Sequence, residues 1–295
     1  MKKLIAIALS LVMVICAVSV FVACDNASVE LVAIDAADLL KEDFGIAVKK
    51  GDTELMAMVN AVIDEWVADG TMTKYVDYYD ALAKGETPST DGLQVSWDFG
   101  DATEVLTVYT ESGFAPFEFL SNGEVIGVDI AIMSEVAERN NLKMEVKDVA
   151  FDTITTCVKG HSGKAVGAAG ITINDERKQE VDFSSIYYSS TLVVVSAKDK
   201  SISSVKDLSG LTVGVQEGTS GDLIISAAKT AKGHSYTDYD ADGNEITKTV
   251  TVDATTEVKQ YKQYALALAD LKAGRIDAIL MDKLPAQTML AASEN

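Results

Sequence analysis

Histidine, cysteine and positive charge are all scarce in this sequence. Its 295 residues hold two histidines, three cysteines and 25 lysines and arginines against 45 acidic residues, a formal charge of −20. That deficit leaves no basic face on which a phosphate backbone could be neutralised, which excludes a nucleic-acid partner. His161 and His234 lie in separate glycine-flanked loops, so no histidine-rich metal site can be assembled, and neither a metal nor another cofactor is expected. Cys16 falls in the apolar N-terminal run and Cys24 directly after it, which leaves Cys157 alone in the body and rules out an internal disulfide. On the predicted helix 152–159, Cys157 reads as a buried thiol acting as a small hydrophobe. Low complexity is also missing: 48% hydrophobic and 24% charged residues describe ordinary globular material, enough for two lobes of roughly 100 to 150 residues each.

What is present begins with an export signal. Lys2 and Lys3 precede an almost unbroken apolar run from Leu4 to Ala23, and polar sequence follows Cys24. Ala23 before Cys24 resembles the lipobox of bacterial lipoproteins, with Phe21 where leucine is usual. The expectation is cleavage of residues 1–23 and lipidation of Cys24. An uncleaved anchor is the alternative, since about 20 apolar residues can span a bilayer. Either way the body lies outside the cytoplasmic membrane.

Short strands are predicted at 30–34 and 44–48. Asp52 caps an amphipathic helix to Ala68 with Leu55, Val59, Val62, Ile63 and Trp66 on one face and Gly70 as its stop, and a second helix covers 71–83. The run 85–92 (GETPSTDG) has no periodicity and opens a linker, 86–103. From Val105 strands and helices alternate: strands at 106–110, 144–149, 165–169, 191–197, 211–216 and 278–282, helices at 129–139, 152–159, 220–229 and 261–273. Such alternation predicts an α/β fold of parallel sheets covered by helices, with ligands bound beyond the carboxyl ends of the strands. The interval 232–256 reads as a hairpin insertion turning at Asp242 and Gly243. Asp238, Asp240 and Asp242 imitate the start of a calcium loop, but Thr249 stands where its glutamate is needed.

Several motifs stand in one order: LTVYTESGFAPFEF at 106–119, GVDI at 127–130, GITINDER at 170–177, VDFS at 181–184 with Tyr187 and Tyr188, VKDL at 205–208, VGVQEGT at 213–219 and GRIDAILMD at 274–282. Together they closely resemble the polar amino acid binding proteins of ABC importers. The resemblance implies the type II periplasmic-binding-protein fold: two lobes, each a mainly parallel sheet flanked by helices, joined by a two-segment hinge near 187–191 and 282–285. The departure is in order. EDFGIAVKKGD at 42–52 and VADGT at 67–71 read like the segment that closes such proteins, yet here they come first. The chain therefore looks like a circular permutant, with 24–85 completing the first lobe, 104–188 forming its main part, 189–282 the second lobe, and 283–295 returning to the first. Permutation is tolerated where termini lie close together at a surface. A partial fragment of a tandem array is the alternative.

By the same resemblance Arg177 holds the ligand carboxylate through its guanidinium fork, with Thr172, Thr219 and Ser220 adding donors. Asp282 takes the ammonium with the Gly170 carbonyl and Thr172, Ala169 lines the wall beside them, Phe114 and Phe151 flank the side chain, and Glu111, Gln216 and Met281 touch its far end. An acid at Glu111 leans toward a cationic or amide-bearing ligand. In isolation, Arg177 and Asp282 would pass for surface residues and the two phenylalanines for core. The expected function is a monomeric lipoprotein that delivers a free amino acid to a membrane permease and is not an enzyme. The alternatives are a ligand-sensing module and a cleft enzyme such as a dehydratase on the same fold.

Overall fold

The computed structural model describes residues 29–36, 39, 41–90, 93, 99–239 and 245–294. The expected signal 1–23, Cys24 and the hairpin turn at 242–243 lie outside the described residues.

The leading segment forms β1 (Leu31–Ile34), β2 (Lys41–Phe44), β3 (Ala47–Lys49), α1 (Thr53–Asp69) and α2 (Thr71–Ala83). Helix α1 is specified locally: Asp52 accepts from the Leu55 N–H at 3.0 Å, Gly70 adopts φ 81° to end it, and the five apolar residues of its stripe are buried. Each such side chain contributes roughly 1.5–3 kcal/mol of burial. Trp66 stacks on Tyr75 of α2 at 4.5 Å between ring centroids, locking the two helices into one unit against the first lobe.

The first lobe continues with β4 (Val105–Thr110), β5 (Gly113–Phe114), β6 (Glu118–Ser121), β7 (Glu124–Ile126), α3 (Val128–Arg139), β8 (Lys143–Asp148), a 3-10 turn at Phe151–Thr153, α4 (Ile154–Gly160), β9 (Lys164–Gly167), α5 (Arg177–Glu180) and β10 (Val181–Phe183). Its sheet has five strands in the order β10-β3-β9-β4-β8. Strand β3 runs antiparallel to both neighbours, whereas β4 is parallel to β8 and β9. A strand from the N-terminal segment thus sits inside a sheet built mostly from later sequence.

The second lobe contains β11 (Tyr188–Ala197), β12 (Thr212–Gln216), α6 (Ser220–Ala228), β13 (His234–Tyr239), β14 (Glu245–Val250), β15 (Glu257–Tyr261), α7 (Tyr264–Lys272), β16 (Ala278–Asp282) and α8 (Lys283–Ala292). Its sheet runs β1-β11-β16-β12-β15, with β2 pairing the other half of β11. Strands β13 and β14 pair antiparallel as the expected hairpin. The predicted helix 261–273 starts at Tyr264, because Glu257–Tyr261 pairs in parallel with β12 as an edge strand. The short sheet β5-β6-β7 was not anticipated.

Three placements differ from the sequence reading. Strand β1 belongs to the second sheet, pairing Leu31 with Ala197, so the leading segment serves both lobes. Helix α8 lies on the second sheet, against β11, β1 and β16, and touches α2 through a 2.6 Å bond from Thr288 to Asp80, so 282–285 is not a crossing. The lobes are instead joined by β2 running into β3 and by β10 running into β11. These crossings lie side by side as an antiparallel pair, Phe44 opposite Tyr188 and Lys41 opposite Thr191. Cys157 is free but only partly buried, because its side of α4 looks partly to solvent.

A candidate amino acid cleft

The ends of the strands bring the motif residues to one place. Glu111 follows β4, Phe114 lies in β5, Phe151 opens the 3-10 turn after β8, Ala169 to Thr172 follow β9, and Arg177 opens α5. From the opposite lobe, Gln216 ends β12, Thr219 caps α6 by accepting from the Asp222 N–H, Ser220 begins that helix and Asp282 ends β16. Ile171 apart, these residues line one narrow, nearly closed cleft between the lobes, with a cavity volume of only about 10 Å³.

Met281 does not. It is 1% exposed and borders a separate apolar groove with Pro285 and Met289. Successive side chains of a strand point to opposite faces, so once Asp282 faces the cleft its neighbour cannot.

Gly170 adopts φ 52°, and a Cβ there would stand 2.6 Å from the Phe114 ring, so both the backbone and the space require glycine. Its N–H donates to Asp129 Oδ2 at 2.9 Å, and the Tyr187 hydroxyl donates to the same oxygen at 2.9 Å, which ties the GITINDER loop to the helix α3 core. Burial pushes Asp129 up to about 7 despite those bonds.

The lobes are in contact across the cleft. Arg177 Nη1 donates to the Thr172 carbonyl at 2.7 Å and Nη2 to the Gly218 carbonyl at 2.9 Å, while its guanidinium lies 5.3 Å from the Phe151 ring centroid. Burial lowers the pKa of Arg177 against the opposing field of Glu42 and Asp282. Ser220 Oγ donates to Thr172 Oγ1 at 3.1 Å. Glu111, 3% exposed, accepts from Gln216 Nε2 at 2.9 Å and from Gln263 Nε2 at 2.7 Å; burial raises its carboxyl above the ordinary range.

Two residues escaped the sequence reading. Gln263 sits just before α7, inside the predicted helix 261–273. Glu42, on β2, is 4% exposed in the cleft beside Thr172, Ser220 and Asp282. Its only signal was its place at the head of the EDFGIAVKKGD motif, where strand parity alone could have turned it inward.

Asp282 is 6% exposed with Oδ1 lacking any donor, and burial together with Glu42 raises its carboxyl well above the usual range. Among the described residues no group of His, Cys, Asp and Glu is arranged to hold a metal ion.

Two α/β lobes joined by a pair of antiparallel strands thus enclose a cleft lined by one guanidinium and three buried carboxyls. Residues 106–281 match the bacterial extracellular solute-binding proteins, family 3, and the chain belongs to that family. It is 37% identical over 114 residues to the arginine-binding extracellular protein ArtP of Bacillus subtilis, covering 39% of this chain and 44% of that protein. A probable histidine-binding protein of Neisseria gonorrhoeae is 31% identical over 181 residues, covering 61% and 59%. The matches thus span roughly half the length of these relatives. Among solved structures, an ancestral arginine-binding protein bound to arginine is 32% identical with a TM-score of 0.55, covering 66% of this chain and 76% of that one. The arginine-bound, truncated ArgBP of T. maritima is 29% identical with a TM-score of 0.52, covering 63% and 77%. The fold is that of these type II amino acid binding proteins.

Proposed function

We propose that this chain is the exported solute-binding protein of an ABC importer and that it clamps a free amino acid with a cationic side chain, L-arginine being the first candidate. The observation that carries the reading is the charge count of the cleft: Arg177 faces Glu42, Glu111 and Asp282, all deeply buried. A zwitterion alone adds no net charge to that excess, whereas a second cation at the far end of the ligand meets Glu111. The names of the relatives, arginine- and histidine-binding, point the same way. Arg177 takes the carboxylate by exchanging its two carbonyl partners for the ligand's two oxygens, and Phe114 and Phe151 flank the side chain. The protein acts as a receptor and not as an enzyme: Glu111, at the ligand's far end, is held by two amides, which leaves it poorly placed for proton transfer. Lipidation at Cys24, a permease partner and a monomeric state belong to the same proposal.

Circular permutation belongs to it too. It is supported by β3 lying inside the first sheet, by a family match that leaves 31–83 outside it, and by Val29, Leu31, Ser293 and Glu294 lining one groove, so that the two ends of the described chain are neighbours.

The test is thermal unfolding of the protein from Asp25 onward against the common amino acids plus ornithine, citrulline and cystine. A ligand that binds only the folded clamp raises its midpoint. A shift confined to cationic amino acids is the expected result; no shift with any amino acid would refute the proposal.

A further inference from the structure

Strand β2 delivers a carboxyl to the cleft from the hinge itself. In its register with β11, Glu42 stands opposite Ser190 and Asp43 opposite Ser189. Asp43 turns outward and accepts from Ser189 Oγ at 2.6 Å. Glu42 therefore turns inward, where Oε2 accepts from Thr172 Oγ1 at 3.1 Å. Its carboxyl also lies within hydrogen-bonding reach of Ser220 and of Asp282. Asp282, with Ser190 also within hydrogen-bonding reach, keeps one buried oxygen with no donor.

Two carboxyls this close and this buried cannot both ionise without a cation between or beside them. Arg177 is the nearest protein cation, but its fork is spent on the Thr172 and Gly218 carbonyls. The hydroxyls facing the pair are those of Thr172 and Ser190, Ser220 of α6, Tyr188 of β11 and Tyr264 of α7, while Glu111 in the same cleft and Glu118 within the field of Asp282 are acids that oppose its ionisation. Both tyrosines are pushed up by burial, then by the Asp282 charge, and stay protonated. The unmet need is for several N–H donors that bring one positive charge, which describes a primary ammonium.

We propose that Glu42 contacts the ligand: with Asp282 it forms a two-carboxyl seat for the α-ammonium of the bound amino acid, and the proton shared by the empty seat leaves to solvent as the ammonium enters. This rests on the receptor reading above and deepens it. The exchange is balanced, one positive charge entering the seat and one proton leaving it. Burial and mutual repulsion raise both carboxyls, so the pair keeps a shared proton to higher pH than a free carboxyl does; an ammonium in contact with both lowers them and expels it. Affinity accordingly tightens up to about tenfold per pH unit while the empty seat keeps its proton and the filled one does not. Because β2 is one of the two crossing strands, the seat also couples ligand charge directly to the hinge.

The experiment is titration calorimetry of the protein from Asp25 onward with L-arginine, or with whichever amino acid gives the largest thermal shift, in phosphate and in Tris at one neutral pH. The difference in apparent enthalpy reads protons released. The expected result is a release approaching one proton per ligand. Glu42→Gln should release almost none and bind at least tenfold more weakly, with an unliganded midpoint at or above that of the wild type because the repulsion is gone. Wild-type binding with no buffer dependence, or undiminished binding by Glu42→Gln, would overturn the seat while leaving the receptor intact. Failure of every amino acid to bind the wild type would instead overturn the receptor, and the seat with it.

Discussion

Arg177 in the first lobe donates from Nη2 to the carbonyl oxygen of Gly218 in the second, at 2.9 Å. The same fork that is expected to take a ligand carboxylate thus bridges the two lobes through a backbone carbonyl. A neutral carbonyl is a weaker acceptor than a carboxylate by roughly a factor of two, so a ligand can displace it.

Removing that fork gives the first prediction. Arg177→Ala should lose about 30-fold or more in amino acid affinity, the 2–5 kcal/mol characteristic of a truncated buried charge pair. Arg177→Lys should recover little, since an ammonium cannot match two oxygens in parallel. Calorimetric titration checks both.

Glu111 should set the preference among ligands. Glu111→Gln retains acceptor and shape but removes the charge, so arginine should weaken roughly 10- to 100-fold while glutamine is unchanged or improved. The ratio of the two dissociation constants is the measurement; an unaltered ratio would show that Glu111 does not read the side chain.

Gly170→Ala should destabilise the protein by roughly 2–4 kcal/mol, combining left-handed backbone strain with a Cβ forced against the Phe114 ring. Urea denaturation reads the cost. Arginine affinity should fall with it, because Phe114 cannot yield without leaving the ligand's flank.

Asp129 predicts a pH dependence. Its carboxyl rises from 3.8 to about 7 in the folded state, so between those values the native protein binds a proton that the unfolded chain does not. Stability contributed by this group is therefore full below the lower value and is lost as pH rises toward the upper, at up to about 1.4 kcal/mol per pH unit. The neighbouring Glu118, 0% exposed with neither oxygen bonded, is raised in the same sense. Asp129→Asn, which keeps an acceptor for Gly170 and Tyr187, should flatten the slope by one proton in denaturation curves taken between pH 4 and pH 7.

Reordering the chain to the order usual in the family offers the last prediction. A chain running 105–294 and then 29–84, joined by a short flexible linker, should fold to the same far-ultraviolet signature and keep the same ligand ranking. Failure to fold would count against permutation.

Whatever local chemistry decides was legible before any tertiary contact was known. Asp52 and Gly70 bound α1 because a side-chain acceptor and a left-handed glycine act within one turn. Arg177, Gln216, Thr219 and Asp282 could be placed because the motifs that carry the family resemblance contain them, and α/β sheets put the strand ends in those motifs at the cleft. Tertiary structure alone decided the rest. Whether β1 joins the first sheet or the second depends on pairing Leu31 with Ala197, a contact across most of the chain that no local pattern encodes. The same holds for the hinge: β2 crosses because it finds β11. Strand parity then turned Glu42 into the cleft and Met281 out of it. With a side-chain period of two, a register set by a distant partner assigns each residue to one face or the other, and at these two positions that assignment decides which residues can meet a ligand.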